Sequence, residues 1–357
     1  MSRIVAAEAD FVTFRLVEGY RIAGRHFTSA DNILLKLVAS DGHIGYGCGA
    51  PSEEVTGETP QETLRALQDA LIPLAKEADG ADTRAVMERA AAAVPAAPAA
   101  RAALDMALLD LDARRAGMPL ARFLGSSRTR LDTSITLGIE KDVPSALAHA
   151  RRRVAEGFRI LKIKVGEDWE FDLELVRALR KALGPRIVIR ADGNEGYDER
   201  SAASFLRGAA DLDLELLEQP VPRRDLDAMT RLAGLTQVPI MADEALQTLA
   251  DAERLIAARA ATLFNIKLMK TGGVLAGLAI ARRAAAAQVG VMVGCNDESR
   301  IAIAAGLHLA LAAEAATRAD LDGHLDLQDD VARGGLRLRD GVLEISGDPG
   351  LGVDADF

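Results

Sequence analysis

The chain has 357 residues, 49% hydrophobic and 27% charged, with a formal net charge of -10. This balance excludes a disordered or collagen-like chain and argues against a general nucleic-acid binder, which needs a basic surface. No apolar run reaches the about 20 residues of a membrane-spanning helix, and the N-terminus turns acidic too early for a signal peptide.

Cys48 and Cys295 are too few for a disulfide framework, so a cytoplasmic protein is expected. Residues 32–38 and 44–47 predict a β-hairpin turning at Asp41-Gly42. Thr59-Pro60-Gln61-Glu62 is a capping box with proline at the first helical position. The Ala-rich residues 91–103, interrupted by Pro95 and Pro98, lead into Leu104, Leu108 and Leu111 at helical spacing, and Gly117 stops that helix. The first 125 residues therefore read as an α+β module.

From residue 130 onward short apolar runs alternate with Ala/Leu/Arg segments of helical period. The runs fall at residues 133–137, 160–165, 187–192, 214–218, 239–243, 263–267, 289–294 and 319–322. The residues that end them from the second onward, Lys164, Asp192, Glu218, Asp243, Lys267, Cys295 and Asp320, recur every 24 to 28 positions. That period is the length of a strand, a helix and two loops. Eight such units predict an α/β barrel. A doubly wound sheet is the competing fold, but it wants a Gly-rich phosphate turn after its first strand, and Gly138-Ile139-Glu140 is not one. The tail from about Val331 is Gly-rich, and we expect it to leave the barrel and pack on the N-terminal module.

Strand C-termini of a barrel open on one face, which holds the active site. Glu218 in Leu217-Glu218-Gln219-Pro220 thus ends its strand inside a shared cup, as do Asp192 and Asp243. Three oxygen donors without histidine or cysteine suit a hard divalent cation, Mg2+ rather than zinc. Helix capping is the ordinary explanation for any one of these acids; three successive strands ending alike favour the metal. Lys162 and Lys164, two apart on one strand, share a face, and Ile163 takes the other. With Lys267 they flank the acids. Neighbouring positive charge should lower the lysine pKa values toward those of working bases. Strands two and six lie across the barrel from each other, so Lys164 and Lys267 are expected to face one carbon from two sides. That layout suits racemisation or epimerisation next to a carboxylate.

These motifs resemble the enolase superfamily, in particular its muconate-lactonizing-enzyme-like subgroup. The resemblance rests on Lys162-Ile163-Lys164, Arg190-Ala191-Asp192-Gly193-Asn194, Leu217-Glu218-Gln219-Pro220, Ala242-Asp243-Glu244, Asn265-Ile266-Lys267-Leu268-Met269-Lys270 and Pro349-Gly350-Leu351-Gly352. It implies a modified TIM barrel, (β/α)7β, over residues 126–325. An α+β capping domain over 1–125 would be completed by the 326–357 segment. Asp320-Leu321-Asp322 is similar to the Asp-x-Asp signature of dipeptide epimerases, which implies that both acids hold the α-ammonium of a dipeptide. The resemblance then makes Asp192, Glu218 and Asp243 the Mg2+ ligands and Lys164 and Lys267 the bases, with Lys162 beside them. Asn194 and Glu244 would support the ligands, and Tyr20 and Thr136 would contact substrate.

For specificity, Asp297 and Glu298 at the barrel mouth and Glu53 and Glu54 in the 51–57 loop resemble members that take cationic dipeptides. Arg25, in the 20–27 loop, instead resembles a position that pairs with glutamate in L-Ala-D/L-Glu epimerases. The expected activity is a dipeptide epimerase that inverts the C-terminal residue, with muconate cycloisomerase and o-succinylbenzoate synthase chemistry as alternatives. A homo-oligomer is the expected assembly, with no membrane or nucleic-acid partner.

Overall fold

The computed structural model describes residues 3–78 and 82–357. The N-terminal part is a three-stranded antiparallel sheet in the order β1 (Ile4–Ile22), β2 (Arg25–Ala39), β3 (Ile44–Gly49). β2 and β3 form the hairpin expected at Asp41-Gly42, with Gly42 in the left-handed region at φ 85°. The 20–27 loop is the tip of the β1–β2 hairpin: Tyr20 pairs with Phe27, and their rings stack 5.3 Å apart.

The Ala-rich segment forms two helices, Thr83–Ala93 and Pro98–Arg115, split by the two prolines. The second lies directly on β3. Gly45, Gly47 and Gly49 alternate on the strand face that meets Ala107, Ala103 and Ala99, which are spaced four apart on the helix. A Cβ on Gly47 would stand 1.9 Å from the Ala103 carbonyl oxygen, so only glycine permits this approach.

A short strand, β4 (Arg130–Asp132), leads into an eight-stranded parallel sheet in sequential order. Its strands are β5 (Ile135–Leu137), β6 (Ile160–Lys164), β7 (Val188–Asp192), β8 (Leu214–Glu218), β9 (Ile240–Ala242), β10 (Leu263–Lys267), β11 (Gly290–Gly294) and β12 (Ala316–Asp320). A bridge between Thr133 and Ala319 closes the ring. A long helix follows each strand from β5 to β11, ending with Arg300–Ala312, so the barrel is a modified TIM barrel, (β/α)7β. Trp169–Leu183 illustrates why these helices form. Asp168 caps its first turn, Gly184 at φ 75° ends it, and Leu173, Val176 and Leu179 are buried.

The last barrel strand ends two residues earlier than the sequence suggested. Asp322 therefore lies beyond β12, entering a 3-10 turn at Gly323–Leu325, and does not share a strand face with Asp320. The C-terminal residues form β13 (Ala332–Gly334), β14 (Leu336–Arg339), β15 (Val342–Ile345) and β16 (Val353–Ala355). β15 pairs with β14 and with β4 at the barrel end, whereas β13 pairs with β16. Residues around β16 meet the N-terminal module: Tyr46 Oη donates to Asp354, and Leu351 N donates to Asp110. Among the described residues no helix is long and apolar enough to cross a membrane.

Candidate active site

Paired residues of parallel strands share a face, and this aligns the charges. Lys164 is beside Asp192, and Asp192 beside Glu218; Lys267 is beside Gly294, and Gly294 beside Asp320. One level deeper Lys162 lies beside Arg190. The lumen below is filled by Leu216, Met241, Leu263 and Met292. A bulge in β8 frees Glu215 to bind Arg190 at 2.6 Å and Arg318 at 2.9 Å. The floor is thus packed, with the Glu215 carboxylate shared between two guanidiniums, and the carboxylates and lysines of the candidate site gather above it.

From the deeper level Lys162 extends upward, and its Nζ sits 2.9 Å from Asp192 Oδ2, 2.9 Å from Glu218 Oε2 and 2.8 Å from Asp320 Oδ2. Lys164 donates to Asp192 Oδ2 at 2.7 Å, from the other flank Lys267 lies 3.0 Å from Asp243 Oδ2, and Lys270 bonds the second oxygen of Asp243. Asp192, Glu218 and Asp243 are all buried. Strands β7, β8 and β9, which carry or precede these acids, separate β6 from β10 in the ring, so Lys164 and Lys267 approach the acid set from opposite sides.

Burial disfavours the charge on Lys162, but Asp192, Asp320 and Glu218 outweigh it and hold the ammonium well above its ordinary range. Lys267 behaves likewise: burial opposes its charge and Asp243 more than restores it. The expected lowering of lysine pKa values therefore does not occur for these two, because carboxylates rather than cations are their nearest charges. The acids divide. Despite burial, Asp192 is held down by Lys162 and Lys164, and Asp243 by Lys267 and Lys270. Glu218 and Glu244 are pushed up by burial and by their neighbouring carboxylates.

Above the strand ends a cavity of about 580 Å3 is lined by Lys162, Lys164, Lys267, Asp320, Asp322, Thr136, Asn194 and Glu244 from the barrel. Tyr20, Arg25 and Glu53 line it from the N-terminal module. Asp320 is committed to Ser134 at 2.6 Å and to Lys162, whereas Asp322 accepts from Thr136 N at 2.6 Å and, among the described residues, meets the Cys295 thiol 3.9 Å away at its other oxygen. Asp297 lines the cavity too and accepts from Tyr20 Oη at 2.8 Å; burial pushes its carboxyl up to about 6. Glu298 departs from expectation. It is buried away from the cavity, accepts from Asn296 N at 2.6 Å, and stabilises its own loop. Arg25 is paired with Glu54 at 3.3 Å, which links the two loops of the N-terminal module.

Two family models match this chain: the mandelate racemase / muconate lactonizing enzyme N-terminal domain over residues 12–125, and the enolase C-terminal domain-like family over 145–357. The chain belongs to the enolase superfamily. It is 43% identical to an L-Lys-D/L-Arg epimerase from Methylococcus capsulatus, covering 95% of this chain and 96% of that one. Among solved structures it resembles a dipeptide epimerase from the same organism, complexed with Mg and the dipeptide L-Arg-D-Lys. That match has TM-score 0.93 and 42% identity, covering 98% of this chain and 99% of the other. It also resembles a substrate-liganded L-Ala-D/L-Glu epimerase from Bacillus subtilis, with TM-score 0.96 and 31% identity over 99% and 100% of the two chains.

Several residues of this superfamily member escaped the reading of the sequence. Lys270 was visible in the Asn265–Lys270 motif, but its role needed the fold: it is fully buried and also donates to the carbonyl oxygens of Asp243 at 2.5 Å and Asn265 at 3.1 Å. Asn265 Nδ2 holds Glu218 Oε1 at 2.7 Å, and the Gln219 side chain accepts from Asp243 N and Ala245 N. Asn194, Glu195 and Gln219 all have positive φ, marking a strained rim at the ends of β7 and β8. Arg223 clamps Glu195 at 2.8 Å and donates to the Glu54 carbonyl, fixing the 51–57 loop to the barrel. No local pattern signals these cross-strand pairings.

Proposed function

We propose that this chain is a Mg2+-dependent dipeptide epimerase that inverts the α-carbon of the C-terminal residue and prefers dipeptides with cationic side chains. The observation that carries this reading is the approach of Lys164 and Lys267 to the acid set from opposite sides. The dipeptide complex of the Methylococcus relative and the 43% identity to an L-Lys-D/L-Arg epimerase support the substrate class.

The residues fit the ion. Asp192, Glu218 and Asp243 offer only oxygen donors. Glu218 Oε2 is buried and lies near Lys162 but off its hydrogen-bonding directions, and Glu244 Oε2 and Asn194 Oδ1 are buried without hydrogen-bond partners among the described residues. Among the described residues no three acidic, histidine or cysteine side chains are already gathered as a ligand shell, because the carboxylates turn toward the lysines. When bound there, Mg2+ would supply positive charge beside the substrate carboxylate, where negative charge develops as the α-proton leaves.

In the chemical step one lysine, as the free amine, takes the α-proton, and the opposed ammonium returns a proton to the other face. One C–H bond breaks, one forms, and the stereocentre inverts. Asp320 and Asp322 hold the substrate ammonium, with Asp322 offering the oxygen that only the weak Cys295 thiol donor reaches among the described residues. Asp297 and Glu53 line the cavity with negative charge. Arg25, bound to Glu54, is not a free cation for an acidic side chain, which disfavours the L-Ala-D/L-Glu alternative. The free thiols Cys48 and Cys295 accord with a cytoplasmic location, and homo-oligomerisation belongs to the same proposal on family resemblance.

Proton NMR in D2O tests this. Wild-type enzyme should invert and deuterate the C-terminal α-carbon of cationic dipeptides. Lys164→Ala and Lys267→Ala should each lose inversion by about 100-fold or more. Each should retain α-exchange on one stereoisomer only, the opposite one in the two variants. Inversion by either variant at more than a tenth of the wild-type rate would rule out the two-base scheme.

A further inference from the structure

The acids of the catalytic cavity differ in how well the protein neutralises them. Along the wall beyond Asp322, Glu18 pairs with Arg152 at 2.9 Å and Glu140 with His149 at 3.0 Å. Asp297 has the Tyr20 hydroxyl. Asp326 lines the same cavity with its side chain 25% exposed, yet among the described residues its carboxylate accepts no hydrogen bond, and its one ion-pair contact is Arg153, 3.9 Å away. Arg153 itself is closer to Glu156, at 3.2 Å. Leaving a mostly buried carboxylate without a close partner costs stability. A cationic group in the cavity would remove that cost.

The backbone holds Asp326 firmly. Its carbonyl accepts from Val17 N at 2.7 Å, and Gln328 N donates to Arg15 O at 2.8 Å, so this segment is stitched to β1. Asp326 stands one 3-10 turn after Asp322, close enough to raise the proton affinity of Asp322, Tyr20 and Asp297 electrostatically. The side chain of the N-terminal residue leaves the same carbon that bears the α-ammonium, so it starts beside Asp322. On the epimerase reading the C-terminal residue has its α-carbon between Lys164 and Lys267. Toward the 51–57 loop, Glu54 and Glu195 are already paired with Arg25 and Arg223, and Glu53 is exposed to solvent.

We propose that Asp326 is the specificity-determining residue for a cationic side chain at the N-terminal position of the dipeptide. The assignment rests on the epimerase reading, which fixes the substrate's direction in the cavity. It concerns substrate selection and gives Asp326 no part in proton transfer.

The test compares kcat/KM for α-proton exchange on L-lysyl-L-alanine and L-norleucyl-L-alanine, which differ by the side-chain ammonium, and on L-alanyl-L-lysine. Wild-type enzyme should favour the lysyl over the norleucyl substrate. Asp326→Asn should lower that ratio by about tenfold or more, chiefly through KM, the size expected for one charged hydrogen bond. Asp326→Glu, which keeps the charge, should preserve the preference. An unmoved ratio in Asp326→Asn overturns the assignment. So does an equal loss on both N-terminal substrates, which marks a structural role, or a loss confined to L-alanyl-L-lysine. Exchange of no dipeptide by the wild-type enzyme would instead sink the epimerase reading itself.

Discussion

Lys270→Met removes a charge that the fold has buried completely, and the contacts allow its effect to be sized. The Lys270 side chain is 0% exposed and binds one oxygen of Asp243, the Asp243 carbonyl and the Asn265 carbonyl. Methionine fills similar volume without a donor. Deleting one partner of a buried ion pair costs about 3–5 kcal/mol, offset in part because the variant no longer desolvates an ammonium. A net loss of about 3 kcal/mol is expected. With about 2.1 cal/mol/K of unfolding entropy per residue over 357 residues, that lowers Tm by roughly 4 °C. Lys76→Met, at an exposed helix position, is the control and should melt within about 1 °C of wild type. Asp243 also faces Lys267, so among the described residues the variant leaves it with one contacting cation in place of two. Added Mg2+ should consequently raise the melting temperature of Lys270→Met more than that of wild type. Circular-dichroism melts with and without 10 mM Mg2+, or about that concentration, read both effects. A variant that melts with wild type, or gains no more from Mg2+, would refute the view that Lys270 neutralises Asp243.

Two further outcomes follow from buried carboxylates. Chelation with EDTA should abolish α-proton exchange, and Mg2+ return should restore it while raising Tm, because burial and neighbouring carboxylates disfavour the charged forms of Glu218 and Glu244 and a bound cation would favour them; full activity in EDTA would exclude a metal role. Asp105, on the helix Pro98–Arg115, accepts from Val274 N at the start of the helix Val274–Ala286, joining the N-terminal module to the barrel. Burial raises its carboxyl from 3.8 to about 7. The folded state then binds more protons than the unfolded state between these values, so Asp105 makes stability fall as pH rises from about 4 to about 7, by at most about 4 kcal/mol. Asp105→Asn should be more stable than wild type at pH 8 and gain little at pH 4, as thermal melts at the two pH values would show.

Much of the barrel is visible in the sequence because each strand is short, apolar and bounded by turn residues, and because its end recurs at a nearly constant interval. Leu214–Glu218 and Leu263–Lys267 fall where the pattern places them. Ala316–Asp320 does not. Thr317 and Arg318 interrupt its apolar character, and the Asp320-Leu321-Asp322 motif draws attention two residues too far along. Arg318 is polar because it binds Glu215 in the barrel floor, a partner 103 residues away. Glu298 misleads for the opposite reason. Its sequence neighbour Asp297 does reach the cavity, but side chains diverge along a loop, and Glu298 turns back to its own backbone.

The sign of the lysine electrostatics shows where one-dimensional reasoning stops. Lys162 and Lys164 stand two apart, so the sequence presents each as the other's neighbouring charge and suggests a lowered pKa. In the barrel the strand order brings Asp192, Glu218 and Asp320 to within 3 Å of Lys162, from positions 30 to 158 residues distant. Three opposite charges at contact outweigh one like charge, because Coulomb energy falls with separation and burial weakens solvent screening. Spacing along a strand can therefore say which face a lysine occupies. Its proton affinity is set by which strands lie next to its own, and that order exists only once the ring has closed between Thr133 and Ala319.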